Sequence, residues 1–252
     1  MQTYTAQKLT SNINETYGTE IGIERLKIGL SANVQIESIR VIDHKNDTLF
    51  NIKKLSSSIF NIPSLIDGSN LNLSSTDIED LKMKLIRYKD DPNDNLTTFL
   101  QKFESDKPKD TTKLFKLYVD DILLVDSQFS VTNYNLDNPE SFSIENLNFD
   151  VDNLNIVGGK VSLNINSLSG LTGFGFKIDQ LQSRFFMNAS EMRLDQLKLK
   201  TPQSQLETDL KFEYASGDWS DFENEVKISA RFDKSKLSTT DLNHFYKGFG
   251  YA

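Results

Sequence analysis

The stretch "SIENLNFDVDNLNI", residues 143–156, states one phrase twice: Ile144-Glu145-Asn146-Leu147, then Val151-Asp152-Asn153-Leu154. Each copy runs apolar, acidic, polar, apolar. Between the copies Leu147, Phe149 and Val151 alternate with polar neighbours, which is the period of a half-buried strand. In a regular strand, residues three apart point to opposite faces. The phrase would then leave one of its two apolar ends in water. A β-bulge supplies one extra residue, returns both ends to one face, and adds twist and bend. Asn, Asp and Ser suit such a position because their side chains bond nearby backbone. The phrase therefore predicts strands that bulge, with its acids turned to solvent.

The phrase recurs. Ile36-Glu-Ser-Ile39, Ile78-Glu-Asp-Leu81 and Val119-Asp-Asp-Ile122 precede it, and Ile165-Asn-Ser-Leu168, Ile178-Asp-Gln-Leu181 and Leu194-Asp-Gln-Leu197 follow. The irregular spacing excludes a strict solenoid repeat. Around these copies the chain is period-two throughout. Ile21 and Ile23 alternate, as do Val161, Leu163 and Ile165, then Leu210, Phe212 and Tyr214, then Val226, Ile228 and Phe232. Turns are predicted at "DHKND" (43–47), at Gly158-Gly159 and at "GLTGFG" (170–175), with a short turn or helix from Pro63 to Gly68.

Three short helices are predicted. The first carries Ala6, Leu9, Ile13 and Tyr17 on one face and stops at Gly18. In the second, Asn95 caps a stripe of Leu96, Phe99, Leu100 and Phe103. The third opens with Ser238-Thr-Thr-Asp241, a variant capping box, and carries Leu242, Phe245, Tyr246 and Phe249. The organisation read from this is a capping helix over 1–18, a first part of the sheet over 19–104, a polar linker over 105–115, and a continued sheet over 116–252 that ends in a short helix.

One-sided strands need a cover, and three short helices are little cover for so many of them. Either two sheets close on each other as a sandwich, or one long, curved, twisted antiparallel sheet forms an open apolar groove, a β-taco. The groove is the preferred fold. Its candidate lining is Leu147, Phe149, Val151, Val161, Leu163, Ile165, Leu210, Phe212, Tyr214, Val226, Ile228 and Phe232. An exposed apolar trough needs an apolar occupant, and acyl chains fit.

Composition narrows the function classes. The 252 residues hold 36 acidic and 28 basic side chains, a net charge of −8, and no Lys/Arg run with interleaved aromatics, so nucleic acid is not an expected partner. The absence of cysteine excludes disulfides, thiolate metal sites and cysteine nucleophiles. No apolar run approaches the roughly 20 residues that span a bilayer, and "MQTYTAQKLTSN" has no apolar core of a signal peptide.

The two histidines, His44 and His244, lie far apart in sequence, and neither has a metal-ligand partner at helical spacing. "DDPND" (90–94) gathers Asp90, Asp91 and Asp94 without the EF-hand pattern. No motif for a nucleophile, a dinucleotide or a catalytic triad is present. An enzyme is not expected, nor a metal or other cofactor; bound phospholipid or detergent is the expected occupant.

"MQTYTAQKLTSNINETYGTEIGIERLKIGL", "VQIESIRVIDHKNDTLFNIKKLSSSI" and "LSTTDLNHFY" resemble the N-terminal region of the TamB proteins of Bacteroidota, within the AsmA-like, chorein-related bridge family. The resemblance runs over most of the chain and is most specific at its start and at "RVIDHKNDTLF". It implies the inner-membrane-proximal end of a groove that crosses the periplasm and moves phospholipid toward the outer membrane. It implies an inner-membrane anchor ending just before Gln2 and a more C-terminal region that engages an outer-membrane barrel partner of the TamA kind, both outside this chain. The competing expectation is a periplasmic chaperone or assembly adaptor for outer-membrane β-barrel proteins, working through an open sheet edge.

Overall fold

A computed structural model describes residues 2–29, 33–59, 70–102, 116–135, 140–158, 160–214 and 226–244. The fold is mainly β. Helix α1 (Gln2–Tyr17) leads into strands β1 (Glu20–Ile28), β2 (Asn33–Ile42), β3 (Thr48–Ile59) and β4 (Asn70–Arg87). Helix α2 (Asn95–Gln101) follows, then β5 (Lys116–Asn133), β6 (Glu140–Val157), β7 (Lys160–Thr172), β8 (Lys177–Met187), β9 (Glu191–Lys200), β10 (Gln205–Glu213), β11 (Lys227–Phe232) and the four-residue α3 (Thr239–Leu242). The eleven strands form one sheet in sequence order, and it does not close into a barrel. The pairs β1–β2, β2–β3 and β7 through β11 are antiparallel.

Most copies of the phrase deform the backbone, by one of two means. Its third residue is left-handed at Ser38, Asp80, Asn146, Asn153 and Gln196, with φ between 50° and 55°. At Ile165–Leu168 and Ile178–Leu181 the register slips by one residue instead. The outcome is the one the spacing requires. In β9, Leu194 opposes Leu210 and Leu197 opposes Thr208, so two residues of β9 face Asp209 alone. Leu210 and Thr208 share a face by alternation, and therefore so do Leu194 and Leu197.

The mechanism differs at Ser38. Glu37 and Ile39 keep a constant register against both β1 and β3, so no extra residue is inserted there. The left-handed turn alone brings Ile36 and Ile39 into the same core. The copy at Val119–Ile122 has no left-handed residue. A further one, Asp126 (φ 50°), sits in Leu124-Val-Asp-Ser127, where a fully buried serine replaces the second apolar residue.

The chain divides into two compact units that interleave along the sequence: residues 1–60, 75–113 and 124–147, and residues 61–74, 114–123 and 148–252. In the first unit Val41, Leu49 and Ile52 are buried on the sheet, with Phe99 of α2 over them and Leu96 alongside. Asp94, not Asn95, caps α2: its carboxylate accepts from the Thr97 N–H at 2.8 Å and from the Thr97 hydroxyl. Asn95 is wholly buried and faces inward.

At the start of the same unit, Asn14 of α1 accepts from the Ile21 N–H and donates to its carbonyl, each at 2.9 Å. The helix thus covers part of the β1 edge. Ile13 is half-buried and Tyr17 exposed; the side chains of Ala6 and Leu9 lie outside the described residues. So do the 63–68 turn, Phe103, the 105–115 linker, Trp219 and the last three aromatics of the third helical stripe. Gly18 stops α1 with φ 62°, as expected.

In the second unit the hairpin turns fall where glycine places them. Gly158 has φ 56° and Gly175 φ 86°. Ser238 caps α3 by accepting from the Thr240 N–H. The capping-box acid does not reach back. Asp241 is buried and instead accepts hydroxyl bonds from Thr201 and Ser204, which ties α3 to the β9–β10 turn.

Candidate functional site

Register across β7 to β11 gathers the apolar residues of the second unit into continuous rows. Val161 opposes Met187, which opposes Met192, then Phe212, then Ile228. The next row is Leu163, Phe185, Leu194, Leu210 and Ala230. Leu168, Leu181, Leu199 and Leu206 make another. Directly opposed residues share a face, so one side of these five strands is a single apolar surface.

A middle row is the most buried: Ile165 opposes Ser183, and Leu197 opposes Thr208. The two hydroxyls are satisfied locally. Ser183 donates to the Asp195 carbonyl at 3.0 Å and Thr208 to the Asp209 carbonyl at 3.2 Å, both at the β9 bulge. Sequence reasoning missed Ser183 and Thr208 because neither is apolar. The signal was their position, one strand step from an apolar neighbour on each side.

The expected lining residues are placed as follows. Val161, Leu163, Ile165, Leu210, Phe212, Ile228 and Phe232 share the apolar face, and Phe212 opposes Ile228 directly. On β6, Phe149 is half-buried and Val151 almost fully buried. They alternate with Asp150 and Asp152, which accept from Asn164 and Asn166 of β7 on the polar side. Leu147 is half-buried within the first unit, and Val226 is half-buried just before β11. Tyr214 is buried at the end of β10, where its hydroxyl donates to the Asn188 carbonyl at 2.8 Å and its N–H to the Ser190 carbonyl. It locks the β8–β9 turn. Along the face Val151, Ile165, Leu197 and Thr208 are buried, and exposure rises at β11, to 53% at Ile228 and 57% at Phe232. The one helix of this unit among the described residues, α3, docks on turns: the His244 ring beyond it lies 5.9 Å from Phe176 and bonds the Phe174 carbonyl.

The opposite face carries charge. Lys211 lies 2.9 Å from Glu213 and 3.3 Å from Glu191. Those two carboxylates, Glu213 first, raise the Lys211 ammonium above its ordinary value, and Lys211 in turn lowers Glu213. Arg193 lies over the Phe186 ring at 4.8 Å. The Asn164 amide holds Asp152 below the usual carboxylate range.

The first unit contains a second polar centre, built on the predicted "DHKND" turn. The turn is present, but Asp43 is buried at its hub. Tyr88 donates to Asp43 at 2.8 Å, Asn95 at 3.0 Å, and the Lys45 and Asp47 N–H groups complete the set. Burial raises the Asp43 carboxyl, and these four bonds outweigh it, so the net shift is downward. The same burial and bond push the Tyr88 phenol up. His44 bonds Asp91 at 2.8 Å, and Asp91 also faces Lys45 at 3.3 Å. Asp91 and Asp94 of the "DDPND" loop are thus committed to side chains and to a helix cap. The centre ties two loops together and has the chemistry of a fastening.

Compared with protein-family models and with curated proteins, the chain matches none.

Proposed function

We propose that the apolar face of β6 to β11 receives the acyl chains of phospholipids, and that the chain is a segment of a lipid-conducting groove. The observation that carries this is the continuity of the face. Two rows of apolar side chains run unbroken over five strands, from Val161 to exposed Ile228 and from Leu163 to Ala230. An aliphatic chain needs such a surface and no specific polar partner. The two methionines of one row, Met187 and Met192, add adaptable packing. The first unit, whose sheet is covered by Phe99 and Leu96 of α2, supplies a stable anchorage.

The resemblance of the opening residues to TamB-type bridge proteins supports the same reading and gives it a setting. The segment would lie in the periplasm, near an inner membrane held by an anchor outside this chain. It would pass phospholipid toward an outer-membrane barrel partner bound by a region also outside this chain.

The test is native mass spectrometry of the purified chain for co-purified phospholipid, paired with Phe212→Arg. An arginine at an open apolar face extends its head to the rim. The variant should stay folded by circular dichroism and lose bound lipid. A folded variant that keeps as much lipid as the parent, or a parent that holds none, overturns the proposal.

A further inference from the structure

The two edges of the sheet are treated differently. At β1, Asn14 of α1 occupies both backbone groups of Ile21. At β11, all six residues are exposed, and among the described strands none lies beyond it. An exposed strand edge is a row of unpaired donors and acceptors, and an extended polypeptide is what fits it.

The charged face states what kind of polypeptide. In the first unit the sign alternates from strand to strand. Arg25 and Lys27 on β1 each reach Glu37 on β2 at 2.7 Å, Glu37 opposes Lys54 on β3, and Lys54 reaches Glu79 on β4 at 2.6 Å. In the second unit Arg184 opposes Asp195 and Lys198 opposes Glu207. Two like-signed pairs occur there, Arg193 with Lys211 and Glu191 with Glu213, and a diagonal Lys211–Glu191 contact and a same-strand Arg193–Glu191 contact bridge them. The last step is Glu213 opposite Lys227 and Asp209 opposite Arg231. The sequence of signs therefore ends on two exposed bases at β11, four residues apart. On the other face of β11, Ile228 and Phe232 are left more than half exposed.

We infer that the β11 edge accepts an extended strand of another polypeptide segment, with acids opposite Lys227 and Arg231 and apolar residues opposite Ile228, Ala230 and Phe232. The added strand continues both the apolar face and the alternation of charge. A second copy of β11 fits less well. Paired about Ala230 it sets Lys227 against Asp233 but leaves Arg231 against Ser229, so one base of two is matched. The inference does not depend on the lipid reading, since its test contains no lipid.

The probe is a fluorescent peptide containing Val-Asp-Val-Thr-Val-Asp, read by anisotropy against the unmodified chain. A second peptide carries Lys in place of both Asp, and a third has alternate amides N-methylated. The acidic peptide should bind about tenfold or more tighter than the Lys peptide. The methylated peptide should not bind. The double variant Lys227→Glu, Arg231→Glu should reverse the preference. Equal binding of the first two peptides, binding that survives methylation, no binding of the acidic peptide, or a dimer by light scattering that cross-links through Ala230 would each overturn the inference.

Discussion

The backbone N–H of Gln196, left-handed at φ 54°, donates to the Asp209 side chain on the facing strand at 2.7 Å. A bulge frees an N–H from the ladder, and here a carboxylate recovers it. The same device recurs in the first unit, where the Leu81 N–H, next to left-handed Asp80, donates to the Ser127 hydroxyl at 3.1 Å. Left-handed geometry costs a non-glycine residue about 1–2 kcal/mol, and glycine gives back about 0.5–1 kcal/mol through unfolded-chain entropy. Gln196→Gly should therefore leave stability unchanged or raise it by up to about 1.5 kcal/mol. Gln196→Val should lower it by more than about 1 kcal/mol. Asp209→Ala should cost about 1 kcal/mol through the orphaned N–H. Urea melts of the three variants check the order.

Asn95 is the second test of how the first unit is fastened. Its amide donates to Asp43 and to the Lys84 carbonyl, and its oxygen accepts from the Ile86 N–H at 2.9 Å. Asn95→Asp sets a second carboxylate against a buried one. It should destabilise by about 3 kcal/mol or more, and Asn95→Leu by about 2–4 kcal/mol, because each strands a buried partner. Thermal melting within about 3 °C of the parent for both would show that the hub carries no stability.

Acid should weaken the protein through identifiable groups. Hydrogen bonds from Lys27 to Glu37, from His44 to Asp91 and from Asn164 to Asp152 each hold a carboxylate below its ordinary value, 4.5 for Glu and 3.8 for Asp. Asp43 shifts the same way, its bonds outweighing burial. A depressed native pKa means that the unfolded chain takes up protons first. The stability these groups contribute is complete above the ordinary carboxylate values and is lost as pH falls through the depressed native ones. Denaturation midpoints should be flat from pH 7 to about pH 5 on account of these groups and fall steeply below about pH 4. Asn95→Leu should blunt that fall by removing a donor to Asp43. A midpoint independent of pH down to pH 3 contradicts this account.

Much of the fold was legible because one local pattern carried one physical requirement. An apolar-acid-polar-apolar phrase in a period-two chain needs a local deformation to bring both apolar ends to one face, and a left-handed third residue supplies it at Ser38, Asp80, Asn146, Asn153 and Gln196. Asp126 was not legible, since the phrase there closes on Ser127, a residue that counts as polar in sequence and is fully buried in the fold. Asn95 and Asp94 are both good caps, and only the tertiary demand of Asp43 decides which of them turns inward. Tyr214 alternates in register with Phe212 in the sequence, yet its hydroxyl is claimed by the β8–β9 turn. The rows across β7 to β11 depend on register, which the bulges shift, so their continuity could not be read from any single strand.

The apolar faces of the two units should differ in their tolerance of charge. Val41→Arg buries a cation in a core that leaves Val41 1% exposed and should unfold the first unit. Leu194→Arg lies in a half-buried row among apolar side chains and should leave a cooperative melt, with stability reduced by about 1–3 kcal/mol. Equal loss of structure in both would mean that the apolar face of the second unit is a closed core.

The most direct measurement places a photoreactive benzoylphenylalanine at residue 185 in one sample and at residue 184 in another. Phe185 lies in the apolar row between Leu163 and Leu194, and Arg184 lies on the charged side between Asn164 and Asp195. The two positions are adjacent in β8 and differ only in face. The chain is irradiated as purified from cells and the adducts are read by mass spectrometry. The account predicts phospholipid adducts at 185 and none at 184. Adducts at neither position, or at both alike, would contradict it.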